Sequence, residues 1–216
     1  MLELEAAVQR NSTDAGAWYE LGVKQQENER EHKAMQALQR ATELDPTHLP
    51  AWLALAISYT NDNNRLGTYD AIYEWVSQNN KYCDAVQGFR LSSQDAKQLS
   101  LGDRYGQLIS CLITMARSDM SGDVDADIQI ALAVLLNTNE EYEKAQDCFR
   151  TALQVRPEVR CLVASTRCSS SLVAYFQDWL LYNRVGATMA NSGHAEEALD
   201  YYYRALELNP GYIRAR

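Results

Sequence analysis

Along this chain apolar side chains recur at helical spacing in short runs, and each run breaks at a cluster of Asn, Asp, Ser or Gly. The stretch Tyr182 to Pro210, YNRVGATMANSGHAEEALDYYYRALELNP, shows the pattern most fully. Large residues fall at Tyr182, Val185, Met189 and Tyr202, and small ones at Gly186, Ala198 and Ala205, where two helices must cross closely. Asn191-Ser192-Gly193 marks a turn between two amphipathic helices. Pro210 stops the second, because it cannot continue the hydrogen-bond ladder. Counting back from Pro46 places Trp18, Leu21 and Gly22 on one helix and Ala34, Leu38 and Ala41 on the next, with Asp14 as N-cap. Counting on from Pro46 brings Trp52, Leu55, Ala56 and Tyr59 into register. The helix after them reads as offset by a longer turn at residues 61–64, before Ala71 and Trp75 resume the pattern. A further pair is carried by Leu132, Ala133, Leu136, Ala145, Phe149, Ala152 and Pro157, with Glu140-Glu141 capping the positive end of its second helix. Residues 1–10 read as the second helix of an earlier pair.

The repeating string, W/Y-x2-L-G, then A-x3-F/Y-x2-A, then P, with a period of ~34, is the tetratricopeptide repeat signature. The expected fold is therefore all-α, an α–α superhelix of tetratricopeptide repeats with a distorted central unit. Residues 1–78 form a first group, a partial unit plus two repeats. Residues 79–121 lose the register, although Leu99 to Arg117 keep a helical period, and Gly88, Gly102 and Gly106 weaken the region into a hinge or distorted repeat. Residues 122–216 form a second group of two repeats and the start of a third. Pro157 and Pro210 hold equivalent positions yet lie well over one period apart, and the excess falls at 159–177, VRCLVASTRCSSSLVAYFQ. Two readings stand for that segment: a loop insertion tolerated at a helix–helix connection, or a retained intron, since a Val codon begins with GT and a Gln codon can be CAG.

Composition narrows the function without choosing it. A formal charge of -9 and a pI near 4.9 argue against nucleic acid and anionic membrane. His32, His48 and His194 lie far apart, and the 5 Cys show no CxxC spacing, so neither a metal site, a cofactor nor a disulfide framework is expected. The acidic start is no signal peptide, and no apolar run approaches the ~18 residues of a membrane span.

A repeat array makes a surface, and its first helices line the concave face. Asn183 and Asn191 fall at positions 5 and 13 of one first helix, a little over two turns apart and so on one face; Asn61 takes position 13 of an earlier unit. An Asn amide both donates and accepts, so several on one wall would grip peptide backbone without reading its sequence. Asn near a helix end also caps turns, which accounts for Asn61 and Asn191 but not for Asn183 in mid-helix. Arg184 and Arg214 would draw a carboxylate into the groove.

Four strings carry a resemblance to a known family: AWYELGVKQQENERE (17–31), LALAISYTNDN (53–63), EEYEKAQDCFRTALQVRP (140–157) and LLYNRVGATMANSGHAEEALDYYYRALELNPGYIRAR (180–216). Across nearly the whole chain apart from 159–177, they resemble the repeat domain of the peroxisomal targeting signal type 1 receptor. That is a cytosolic import receptor, cycling to the peroxisomal membrane, which binds C-terminal SKL-type tripeptides. The family's distorted fourth repeat, joining two triplets, matches the irregular middle. The resemblance implies that Ile57, Thr60 and Asn61 form one wall of the peptide site. It implies that Asn183, Arg184, Ala187 and Asn191 form the other, with Ala187 small enough to admit the ligand's last side chain and Arg214 near its carboxylate. Family members commonly carry Lys where this chain has Arg184, which alters the donor geometry.

Departures are expected too. The family's later Asn clamps would lie beyond Arg216. Tyr212 to Arg216 would be a turn and a half of helix without a partner. The N-terminal region that meets peroxisomal docking proteins would be missing, and the 159–177 segment could displace half the groove and weaken binding. The partners implied are C-terminal peptides of peroxisomal matrix proteins. Competing readings are a structural scaffold or defective product, and a chaperone-binding clamp. The clamp is disfavoured by Tyr19, Leu53 and Ile130 at position 5 of the other units. An enzyme is disfavoured because no nucleophile is paired with a His, no Gly-rich loop follows a strand, and the carboxylates lie on solvated helix faces, as Glu27, Glu29 and Glu31 do.

Overall fold

The computed structural model describes residues 2–87, 99–118, 124–155 and 178–212. Among these residues there are ten α-helices and no strand. They are α1 (Leu2–Arg10), α2 (Ala15–Glu27), α3 (Glu31–Leu44), α4 (Leu49–Asn61), α5 (Arg65–Gln78), α6 (Leu101–Ser118), α7 (Ala126–Thr138), α8 (Tyr142–Val155), α9 (Asp178–Asn191) and α10 (Ala195–Leu208). Four hairpins, α2–α3, α4–α5, α7–α8 and α9–α10, supply the tightest packing, and α6 bridges the second and third of them.

Each hairpin is closed by a three-residue turn whose middle residue is left-handed: Glu29 (φ 58°), Asn63 (φ 56°), Glu140 (φ 65°) and Gly193 (φ 89°). The third turn residue donates its N–H to a carbonyl five residues back, as in Arg30 to Gln25 (3.0 Å) and His194 to Met189 (3.0 Å). These bonds satisfy carbonyls that the end of the first helix leaves open. The shared turn gives every hairpin the same geometry from four different sequences.

The second hairpin departs from the sequence expectation. Its turn has the same length as the others, and α5 has the same 14 residues as α3, so there is no offset. It reads as shifted because Thr68, fully buried, stands where the other units have Ala34, Ala145 and Ala198, and Trp75 stands where they have Ala41, Ala152 and Ala205. Elsewhere the signature acts as expected. Asp14 accepts from the Ala17 N–H at 3.1 Å. Trp18 and Trp52 each donate an indole N–H to a carbonyl six residues back, Ser12 (3.0 Å) and Pro46 (2.8 Å). A Cβ on Gly22 would sit 2.6 Å from Leu38, and one on Gly186 would sit 2.9 Å from the Tyr202 ring, so both crossings need the bare backbone.

The expected helix at 99–117 forms as α6, with Gly102 and Gly106 inside it and Leu108, Cys111, Leu112 and Met115 buried. Its buried Arg104 pairs with Asp70 of α5, and its Tyr105 hydroxyl donates to Glu141. Glu141 also accepts from Lys144 at 2.6 Å, while Glu140 meets Arg65 at 3.0 Å. Glu140 and Glu141 stand directly before α8, at its positive end as expected, and their side chains also tie it to α5 and α6. Burial pushes the Cys111 and Cys148 thiols up to about 11, which leaves both protonated and unreactive at neutral pH.

At Tyr212 a second expectation fails. The Tyr212 side chain is not without a partner: it is 3% exposed, with its ring 4.4 Å from that of Trp179 in an edge-on arrangement, while residues 213–216 lie outside the described residues. Val23 of α2 packs against the same Trp179–Leu180–Tyr212 cluster, so the first hairpin touches the last. The segment at 159–177 and Gly88 lie outside the described residues.

Candidate functional site

The first helices of the four hairpins turn their inner faces toward one cavity of about 460 Å³. Gln26 and Glu29 reach it from the first hairpin, and Ile57, Thr60 and Asn61 from α4. On the opposite wall stand Val134 and Asn137 of α7 and Leu180, Asn183, Arg184, Ala187, Thr188 and Asn191 of α9. Phe149, Tyr202 and Tyr212 complete the lining. Its size is that of a ligand site, and its lining is more polar than is usual for one. Seven of the eight residues expected from the sequence meet here; Arg214 lies outside the described residues.

Their states differ. Asn183 is 8% exposed, and its Oδ1 is buried without a donor. A buried acceptor left unpaired costs ~1–3 kcal/mol, which a ligand N–H would relieve. Asn191 is exposed at the end of α9, and Ala187 is half-buried beside Arg184. Asn61 is exposed and donates from Nδ2 to Glu31 Oε1 at 2.9 Å, and Glu31 Oε2 accepts from Ser58 at 3.1 Å. Gln26 donates to the Ala54 carbonyl (2.8 Å) and to Ser58 (2.7 Å).

Thr60 stands in the wall where it is expected, and its hydroxyl is engaged within the protein. It bonds the Ala56 carbonyl at 3.0 Å and lies 3.0 Å from the Thr138 hydroxyl and 3.2 Å from that of Thr68. This threonine cluster joins α4 and α5 to α7, and so fixes the two walls to each other.

Sequence reading missed Gln26, Val134 and Asn137. The signal was present, because Val134 and Asn137 occupy the same repeat positions as Ile57 and Thr60, and Gln26 shares the position of Thr60 and Asn137. Electrostatically the cavity is two-ended, with Glu29 on one wall and Arg184 on the other. Burial raises the pKa of the Tyr202 phenol, which keeps its ring neutral. Among the described residues no cluster of His, Cys, Asp and Glu could hold a metal ion, and no helix is long and apolar enough to cross a membrane.

The tetratricopeptide repeat family matches residues 15–48, 126–159 and 181–212. A peroxisomal targeting signal receptor of Yarrowia lipolytica is 40% identical over 221 residues, covering 100% of this chain and 33% of its own. That of Candida albicans is 36% identical over 218 residues, with the same coverage. Over its whole length the chain is similar to a stretch of these peroxisomal targeting signal receptors. It spans about a third of the length of these receptors. A human PEX5-related protein is 37% identical over 200 residues, 91% of this chain and 29% of that protein. Among solved structures, the MamA protein aligns over 91% of this chain and 92% of its own at 15% identity and a TM-score of 0.39.

Proposed function

We propose that the cavity receives the C-terminal tail of cargo proteins carrying SKL-type signals for the peroxisome matrix, which makes the chain a cytosolic binding module of an import receptor. The observation that carries the reading is the convergence of Asn61, Asn183, Ala187 and Asn191 on one cavity with Arg184, together with the unpaired Asn183 oxygen. Asn183 takes a main-chain N–H of the tail, Arg184 takes the terminal carboxylate, and Ala187 leaves room for the last side chain. Cycling to the membrane, and meeting docking proteins there, belong to the whole receptor.

The test compares a labelled peptide ending Ser-Lys-Leu as the free acid with the same peptide amidated, by fluorescence anisotropy. Removing a charge-assisted contact is expected to weaken binding about tenfold or more. Equal affinity of the two forms overturns the assignment of Arg184.

A further inference from the structure

We infer that residues 159–177 are a translated intron, and that in the working protein Glu158 is joined directly to Asp178. The repeat matches at 15–48 and 126–159 each span one period of ~34. Between α3 and α4 the chain needs only residues 45–48, Asp-Pro-Thr-His. Between Val155 at the end of α8 and Asp178 at the start of α9 stand Arg156, Pro157, Glu158 and 19 further residues. With those 19 removed the junction reads Arg-Pro-Glu-Asp. Pro157 then matches Pro46, Asp178 matches His48, and the period returns to the residue on both sides.

Packing across the junction agrees. Arg150 of α8 reaches Met189 Sδ of α9 at 3.9 Å, and Gln39 of α3 donates to the Tyr59 hydroxyl of α4 at 2.6 Å. Arg150 and Gln39 share one repeat position, and Met189 and Tyr59 share another. So α9 is stacked on α8 as α4 is on α3, an arrangement that four connecting residues close. The join sets the helix carrying Asn183, Arg184, Ala187 and Asn191 one ordinary connection beyond α8.

The segment is also not composed as a loop. The connections at 11–14, 28–30, 45–48, 62–64 and 139–141 all contain Asn or Asp, the residues that make turns. Residues 159–177 contain no Asn, Asp, Gly or Pro, and no carboxylate at all in a chain that has 29. Their ends suit splicing instead. The Val159 codon begins with GT, the donor dinucleotide, and the Gln177 codon can be CAG, the acceptor. Phe176 before it is read from TTT or TTC, pyrimidines of the kind that precede an acceptor. A whole number of codons is added, so retention leaves the downstream frame intact.

Full-length sequencing of the messages from this gene, with tryptic peptide mapping of the protein in the same cells, tests the inference. Messages joining codon 158 to codon 178 are expected, together with the peptide TALQVRPEDWLLYNR, in which residues 151–158 run into 178–184. If every message encodes all 19 residues, and CLVASTR (161–167) is found without the joined peptide, the inference is overturned. The two forms, purified side by side, give a second measure. Closing a longer loop costs chain entropy, so the joined form should melt a few degrees higher than the full chain. A lower melting temperature for the joined form would mean that the segment stabilises the fold, and would overturn the inference as well.

Discussion

The two walls of the cavity are built from the same helical hairpin, yet they are in opposite chemical states. On the α2–α4 side the polar groups that the sequence marked are held by neighbours, Thr60 by the threonine cluster and Asn61 by Glu31, and so is Gln26, by Ser58 and the Ala54 carbonyl. On the α7–α9 side the oxygens of Asn137 and Asn183 have no donor. One wall spends its hydrogen bonds on keeping its shape, and the other keeps them in reserve. The lesson is that residue type and repeat position say which groups face a groove; only the neighbours say which of them are available to a ligand.

The contrast can be broken at either wall. The largest effect is expected from Trp75→Ala on the first side. Trp75 is 2% exposed where the other hairpins have Ala, and emptying that space should cost ~3–5 kcal/mol of stability in a denaturant titration. A loss below ~1 kcal/mol would mean that α5 does not anchor this wall.

Asn183→Leu should do the reverse on the second side. It replaces an unsatisfied buried amide by an apolar group of similar size, so the melting temperature should hold or rise. Peptide affinity should fall about tenfold, by loss of a contact with both donor and acceptor capacity. A fall in melting temperature with affinity unchanged would make Asn183 a packing residue.

The join between the walls is sensitive to pH. Asp125 accepts from Lys81 at 2.9 Å and from Tyr82 at 2.7 Å while capping α7 through the Asp127 N–H at 3.0 Å. Burial alone would raise its carboxyl, but these three bonds outweigh it and hold the group below its ordinary range. Its folded pKa lies beneath the unfolded one. Its contribution is therefore full above pH ~4 and is lost as pH falls through the folded value. Burial and the Asp125 contact push the Tyr82 phenol up to about 12. That contribution is full below pH ~10 and is lost between about 10 and 12. Asp125→Asn keeps an N-capping side chain, so it should flatten the acid limb of melting temperature against pH. An unchanged acid limb would remove Asp125 from the join.

The smallest effect concerns the turns. Glu29 holds a left-handed conformation that Gly193 adopts freely. Glu29→Gly is expected to add ~0.5–1 kcal/mol, and Gly193→Ala to remove about as much. A loss of stability in Glu29→Gly would show that its side chain, not its backbone, matters there.

Much of this fold could be read from residues that act locally. Trp18, Gly22, Asp14 and Pro46 each do their work within one hairpin, and they placed α2 and α3 correctly. Contacts between distant hairpins left no periodic trace. Nothing in the string tells that Thr60 meets Thr138, that Glu31 holds Asn61, or that Tyr212 folds against Trp179. The α5 register was hidden because Thr68 and Trp75 fill the crossing by exchanging small for large at different places. Asn137 was legible in principle, since it repeats the position of Thr60, but its availability depends on which neighbours lack donors.

The touch of Val23 on the Trp179–Leu180–Tyr212 cluster changes how the array should come apart. A stack with free ends frays from either end, one unit at a time. Where the outer units lean on each other, loosening one exposes apolar surface on both. Backbone amides of α2 and α10 should then exchange with solvent at similar rates, as members of one opening event, and a bound tail that spans both walls would slow them together.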